Sequence, residues 1–371
     1  MRGQPVRPIV IAAGGTGGHF FPAEALAGEL ASRGHRVALM TDARSGGLQS
    51  PAFTGRETFV LKGAGIAGRG VVRAGRAGLA LAAGTMQARR ILATLNAAAI
   101  VGFGGYPCVA PVLASRMLRQ RPVVILHEQN AVLGRANRAL ARFADRLALG
   151  LADTTRLPHG IQAAVIGNPV RTGIRALAGR DYLAPEAQGP IQLLIIGGSQ
   201  GARVFSHAVP PAIALLPEAL RTRLRITQQC RPEDLDGVRA AYAAMGVPAD
   251  LSGFFPDIAE RLLAAHFVVA RAGASTVAEL AVAGRPALLV PLPGSIDGHQ
   301  VQNALAVGAD VLEQARFEHA PEVLAAALAD RLGFPDRLAT QAHAMAEHGI
   351  PDAAARLADL VEETALHGVR V

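Results

Sequence analysis

The chain reads as α/β, with two doubly wound, Rossmann-like domains facing a cleft, and three observations carry that reading. The apolar run Ile9–Ala13 is too short for most helices and meets Gly14-Gly15-Thr16-Gly17-Gly18-His19, after which Pro22 can open a helix to about Arg33. The same order of buried strand, glycine loop and helix starts again at Ile191–Ile196, with Gly197-Gly198-Ser199-Gln200-Gly201 behind it. At 371 residues there is room for two cores of ordinary domain size.

In the first half, Gly34 stops the opening helix and Arg36–Asp42 reads as the next strand. Residues 63–78, rich in glycine and arginine, read as a loop, with helix from about Leu79 to Leu95. Ala98–Phe103 is a further strand, ending in Gly104-Gly105-Tyr106-Pro107 before a helix to about Arg119. Pro122–Leu126 ends in His127-Glu128-Gln129-Asn130, ahead of a basic helix with Arg135, Arg138 and Arg142. Leu147–Leu151 and Ala163–Ile166 close this half, and Gly167-Asn168-Pro169-Val170-Arg171 with the segment to about Pro190 reads as a linker. In the second half, strands at Leu224–Gln228, His266–Ala270 and Ala287–Val290 alternate with a helix near Glu233–Met245 and one entered through Arg271–Glu279. From His299 the chain is mainly helical.

Half the residues are hydrophobic, which excludes a disordered chain, yet no apolar run approaches the roughly 20 residues of a bilayer span. Arg2 and Arg7 precede an apolar run that enters the glycine loop instead of a cleavage site, which argues against a secretory signal. Cys108 and Cys230 lie far apart without a C-x-x-C pair, as suits a reducing compartment without structural zinc. The formal charge of +8 comes almost wholly from arginine and fits an anionic partner, phosphate or an acidic membrane surface, although genome composition alone accounts for it equally well. Nucleic acid is disfavoured, since only 4% of residues are aromatic and no finger or helix-turn-helix pattern is present. No metal and no cofactor are expected. Asp234-Leu235-Asp236 has metal-site spacing but follows Arg231-Pro232-Glu233, and reads as a solvated acidic helix cap.

Two glycine loops do not select a function by themselves. A dinucleotide fingerprint is broken, because Gly15 and Gly17 stand in place but Phe20 occupies the third glycine position. Ser275 and Thr276 at a helix start can bond a diphosphate, with Glu279 one turn on to accept both ribose hydroxyls, while Thr276-Val277-Ala278-Glu279 fits a capping box as well. His19 beside a helix N-terminus is expected to have a lowered pKa, to stay neutral near pH 7 and to accept a proton, or else to cap its loop.

Taken in order, Gly14–His19, Gly104–Pro107, His127–Asn130, Gly167–Arg171, Gly197–Arg203 and Arg271–Glu279 closely resemble, over nearly the whole chain, the MurG family of bacterial transferases. That family adds N-acetylglucosamine to undecaprenyl-pyrophosphoryl-N-acetylmuramoyl-pentapeptide, converting lipid I to lipid II. The resemblance implies a GT-B glycosyltransferase fold, with an acceptor domain over 1–170, a UDP-sugar domain over 171–351, and a final helix, near Asp352–Thr364 within 352–371, packing back on the first. It implies that His19 deprotonates the C4 hydroxyl of the muramoyl sugar, with Glu128 as a second catalytic residue. Thr16, Gly17 and Gly18 would face the sugar and diphosphate, Asn130 the donor sugar, and Gly104, Gly105 and Tyr106 the acceptor. Arg171 and Ser199 would contact the nucleotide and diphosphate, Phe255 the uracil through its backbone, Ala274, Ser275 and Thr276 the phosphates, Glu279 the ribose, and Gln300 the sugar hydroxyls. The resemblance implies two adjacent glutamines, found in many relatives, where this chain has His299-Gln300, so only the second position is kept and sugar recognition at His299 is not implied. The resemblance also implies a peripheral protein on the cytoplasmic face of the bacterial inner membrane. Lys62, Arg69, Arg73, Arg76, Leu79 and Leu81 would set a basic, apolar surface against anionic lipid, unless they form an ordinary solvated loop, and cell-wall synthesis proteins would be partners. The alternatives are a UDP-sugar epimerase or hydrolase on the same fold, a dinucleotide oxidoreductase, and a nucleotide-sugar-binding protein without turnover.

Overall fold

The computed structural model describes residues 7–14, 17–43, 51–61, 71–198 and 201–367, without the side chains of residues 71–75, 296 and 366–367. Thr16, Ser199, Lys62 and Arg69 lie outside the described residues, as does the side chain of Arg73. The chain forms two compact units, Met1–Arg171 with Asp352–Val371, and Thr172–Pro351.

The first unit is built on seven parallel strands, β1 (Ile9–Ala12), β2 (Val37–Asp42), β3 (Glu57–Leu61), β4 (Ala99–Gly102), β5 (Val123–Glu128), β6 (Arg146–Leu149) and β7 (Ala163–Val165), in the order β3-β2-β1-β4-β5-β6-β7. Period-two alternation sends successive apolar residues to opposite faces, so the interior strands read as continuous hydrophobic runs. Ile9, Ile11, Leu39, Val101 and Ile125 join a core with the helices Gly17–Ser32 and Ala353–His367, while Val10, Met40, Ile100 and Leu126 join another with the helices Val71–Leu95 and Val109–Ser115.

The second unit repeats the plan with β8 (Ile191–Ile196), β9 (Leu224–Gln229), β10 (Ala249–Ser252), β11 (Phe267–Arg271), β12 (Ala287–Val290) and β13 (Asp310–Val311), all parallel, in the order β10-β9-β8-β11-β12-β13. Ile191, Leu193, Ile195, Ile226, Phe267 and Val269 pack there against Phe205, Val209 and Leu328.

Several elements differ from the sequence expectation. The helix expected from Leu79 begins at Val71, taking Gly75 and Gly78 into its interior. Each glycine there costs about 1 kcal/mol, and burial of Ala88, Leu92 and Leu95 on the inner face outweighs it. The helix expected to reach Arg119 stops at Ser115. The expected linker contains the short helix Thr172–Arg175. Strands β3, β10 and β13 are short edge strands, and most of their side chains are exposed or only partly buried, so their sequences carry little of the continuous apolar pattern of the interior strands. Among the described residues no helix is long and apolar enough to cross a membrane.

Candidate active site

In each sheet the strand order reverses once, between β1 and β4 and between β8 and β11. Loops leaving the carboxyl ends of such strand pairs diverge and open a crevice, the usual ligand position of a doubly wound sheet. The glycine-rich segments fall there in both units.

In the first unit the helix behind β1 begins at Gly17, so His19 is its third residue and Pro22 lies inside it. The expectation that Pro22 opens the helix is corrected. The bond Pro22 forgoes would reach the carbonyl of exposed Gly18, where its loss costs least. Behind β4, Gly104 (φ 82°) and Gly105 (φ 69°) turn the chain in conformations that favour glycine. A Cβ on Gly104 would stand 3.5 Å from His19 Cε1, and one on Gly105 3.8 Å from Nε2, so the half-buried imidazole rests against bare backbone. Cys108 pins this turn, its Sγ donating to Ala12 O and Gly104 O at 3.0 Å each, and burial pushes the thiol up to about 12. Tyr106 follows with its hydroxyl buried and without a hydrogen-bond partner among the described residues, and burial raises its pKa.

At the end of β5 and just beyond it, the side chains of the polar cluster His127–Asn130 alternate. Gln129 Oε1 stands 2.9 Å from His19 Nδ1, and its Nε2 donates to Phe103 O at 2.9 Å and lies 3.2 Å from His127 Nδ1. His127, fully buried, reaches Gly167 O at 3.0 Å through Nε2, and burial lowers its pKa to about 4. The carboxylate of Glu128 meets four donors. Oε1 accepts from Asn130 N (3.1 Å) and Nδ2 (2.9 Å), and Oε2 from Gly134 N (2.9 Å) and Asn137 Nδ2 (2.8 Å). Arg171 holds its guanidinium 4.8 Å from the centre of the Phe21 ring. His19, Gly104, Gly105, Glu128 and Asn130 are thus joined in one network around Gln129, His127 and Asn137.

In the second unit a Cβ on Gly197 would fall 2.2 Å from Ala202 N, so only glycine fits where the loop folds back after β8. Gln229, at the end of β9, ties two loops together, accepting from Gly197 N at 3.0 Å and donating to Gly198 O and Gly253 O at 3.1 Å each. Phe255 is buried, with the Arg261 guanidinium 4.1 Å from its ring centre. Arg261 in turn pairs with Asp250 (2.6 Å) and Asp257 (2.9 Å), and holds the Asp257 carboxyl below the usual range. The helix Ala274–Ala283 has Gly273 as its N-cap, and its first internal bond runs from Val277 N to Gly273 O at 2.9 Å. The amides of Ala274, Ser275 and Thr276 therefore point beyond the helix end, as an anion requires. Thr276 is the third helical residue, which removes the capping-box alternative, and Glu279 is buried one turn on.

Arg271 is buried under β12, bonded to Val290 O and Pro291 O at 3.2 Å each and to Gln314 Oε1 at 2.6 Å. Gln300 accepts from Leu292 N at 2.8 Å. The solvated-cap reading holds for Asp236, whose side chain is 98% exposed, but not for Asp234, which turns in toward His207 and is 10% exposed. Among the described residues no cluster of three His, Cys, Asp or Glu stands ready for a metal ion. A cavity of about 650 Å³ opens at the opposite edge of the second sheet, between Gln188, Thr222, Arg223 and Asp250, and none of the candidate residues lines it.

The N-terminal domain pattern of glycosyltransferase family 28 matches residues 9–149, and its C-terminal domain pattern residues 192–357. A UDP-N-acetylglucosamine--N-acetylmuramyl-(pentapeptide) pyrophosphoryl-undecaprenol N-acetylglucosamine transferase of Granulibacter bethesdensis is 58% identical, over 98% of this chain and 95% of its own. The protein of the same description from Acidiphilium cryptum is 52% identical over the full length of both.

The chain is a MurG-family member of glycosyltransferase family 28.

The crystal structure of Acinetobacter baumannii MurG superposes with a TM-score of 0.75 at 28% identity, covering 96% of this chain and 99% of that one. CalG4, the calicheamicin glycosyltransferase, shares the fold alone, at 17% identity and a TM-score of 0.63 over 97% and 98% of the two chains. Two polar residues of this MurG-family chain escaped sequence reasoning. Gln129 lies in a sequence motif that assigns it no role, and no local spacing marks Gln229. Each is a glutamine at the carboxyl end of a parallel strand, Gln129 directly after β5 and Gln229 as the last residue of β9, and that placement is the available signal.

Proposed function

We propose that the chain transfers N-acetylglucosamine from UDP-N-acetylglucosamine to the C4 hydroxyl of the muramoyl sugar of lipid I, with inversion, giving lipid II. The observation that carries this reading is His19, set at the carboxyl edge of a family 28 sheet against the side-chain-free turn Gly104–Gly105. There the imidazole takes the hydroxyl proton as the acceptor oxygen attacks the anomeric carbon and the bond to UDP breaks. Gly17, Gly18 and Thr16 face the sugar and diphosphate, Asn130 the donor sugar, and Gly104, Gly105 and Tyr106 the acceptor. We read Glu128 as the carboxylate that positions Asn130, since two of its hydrogen bonds go to Asn130 and the other two tie it to Gly134 and to Asn137 of the helix Arg135–Leu140.

In the second unit the amide-rich end of Ala274–Ala283 takes the departing diphosphate, where fixed dipoles stabilise developing charge. Arg171, which belongs to the first unit, and Ser199 carry the nucleotide and diphosphate roles that the family resemblance gives them. Glu279 accepts the ribose hydroxyls, the Phe255 backbone meets uracil and Gln300 the sugar. The first unit is accordingly the acceptor domain and the second the donor domain. The basic, apolar surface around Arg76 and the 74% exposed Leu79 faces anionic lipid at the cytoplasmic side of the inner membrane.

Incubation with UDP-N-acetylglucosamine and a lipid I analogue in EDTA should yield a product heavier by one N-acetylglucosaminyl unit, and sugar released without acceptor would instead support a hydrolase or epimerase. His19→Ala should lower kcat by about 10²-fold or more. Full activity in that variant would refute the base assignment even with the product confirmed. Sedimentation with anionic vesicles, reduced by salt and by Leu79→Asp, tests the membrane face.

A further inference from the structure

We propose that Gln129 is a positioning residue that fixes the tautomer of His19, holding the proton on Nδ1 and leaving the Nε2 lone pair bare for the acceptor hydroxyl. The inference rests on the reading of His19 as the base and adds what orients it.

Two backbone carbonyls force the assignment. Phe103 O, 2.9 Å from one end of the Gln129 amide, accepts only, so that end is the NH2 group. Gly167 O, 3.0 Å from His127 Nε2, also accepts only, so the His127 proton sits on Nε2. His127 is fully buried and neutral, which leaves its Nδ1 as an acceptor for the second N–H of Gln129 at 3.2 Å. Both amide hydrogens are now committed by partners on different elements, and neither choice depends on His19. The oxygen that faces His19 Nδ1 at 2.9 Å can therefore only accept, and His19 must donate from Nδ1. In the neutral ring the remaining nitrogen is unprotonated. That nitrogen, Nε2, is the one beside Gly105, where a Cβ would stand 3.8 Å away.

The logic is that of the carboxylate in a Ser-His-Asp triad, which selects the imidazole tautomer and orients the ring. A neutral amide does the same here without adding charge beneath the base. The glutamine is 2% exposed, so water does not compete for its oxygen.

Two-bond 1H–15N correlation spectra of the full chain at pH 8, with the His19 signals identified by their loss in His19→Gln, should show Nδ1 protonated and Nε2 bare. In Gln129→Leu the His19 pattern should move toward the other tautomer. Its kcat should fall roughly tenfold or more, while KM for UDP-N-acetylglucosamine stays within about twofold. A wild-type spectrum with the proton on Nε2 would overturn the proposal, as would a Gln129→Leu enzyme with unchanged kcat, or one whose loss is confined to KM. The wild-type spectrum decides the tautomer whether or not the variant folds. The His19→Ala assay decides the base assignment separately, so the two readings fail in distinguishable ways.

Discussion

At the scale of single residues, His127-Glu128-Gln129-Asn130 shows how one polar cluster divides its work. Side chains two apart share a side of an extended chain, so His127 meets Gln129 while Glu128 meets Asn130. Glu128→Gln places an NH2 group against donors that now meet oxygen, and each buried mismatch costs about 1–3 kcal/mol. Lower thermal stability together with a raised KM for the donor is the expected outcome, and steady-state kinetics beside a melting curve checks it. His127 makes the fold sensitive to acid. Burial lowers its folded-state pKa to about 4 from the ordinary 6.5, so below pH 6.5 the unfolded chain binds the extra proton. Stability should be full above that point, decline as pH falls to about 4 and level off below, for a loss of about 3 kcal/mol from this residue. Urea midpoints measured at half-unit steps would reveal the slope, and a flat profile from pH 6.5 to 4 would contradict it.

At the scale of elements, the two sheets place their loops by the same rule, and close packing then makes particular glycines irreplaceable. Gly197→Ala has no room for its methyl, because the obstructing atom is the backbone nitrogen of Ala202. That substitution should abolish UDP binding measured by calorimetry while the first unit stays folded. Gly105 combines φ 69° with ψ −177°, a region essentially reserved for glycine, so Gly105→Ala should cost about 1–3 kcal/mol and lower kcat by moving the turn against His19. The helix Val71–Leu95 teaches the converse. Its glycines read as a loop because local propensity favours one, and tertiary burial overrode that preference.

At the scale of the molecule, the chain returns to its first unit at the end. Leu357, Ala358 and Val361 of Ala353–His367 enter the core beneath β1, and Arg33 and His35 bond Asp359 and Glu362 along its rim. The apolar contacts hold this helix, since partly exposed ion pairs contribute little. Leu357→Ala should destabilise the first unit by about 2–5 kcal/mol and leave the unfolding of the second unchanged, which scanning calorimetry with UDP as a marker of the second unit can separate. By itself the sequence determined the doubled α/β plan and the polar clusters at strand ends, because buried parallel strands and glycine loops are written in local pattern. Only the tertiary structure decided the edge strands, the helix through residues 71–78, and the tasks of Gln129 and Gln229. Those features depend on partners far along the chain, Gln129 meeting His19 across 110 residues, and no local spacing encodes such a meeting.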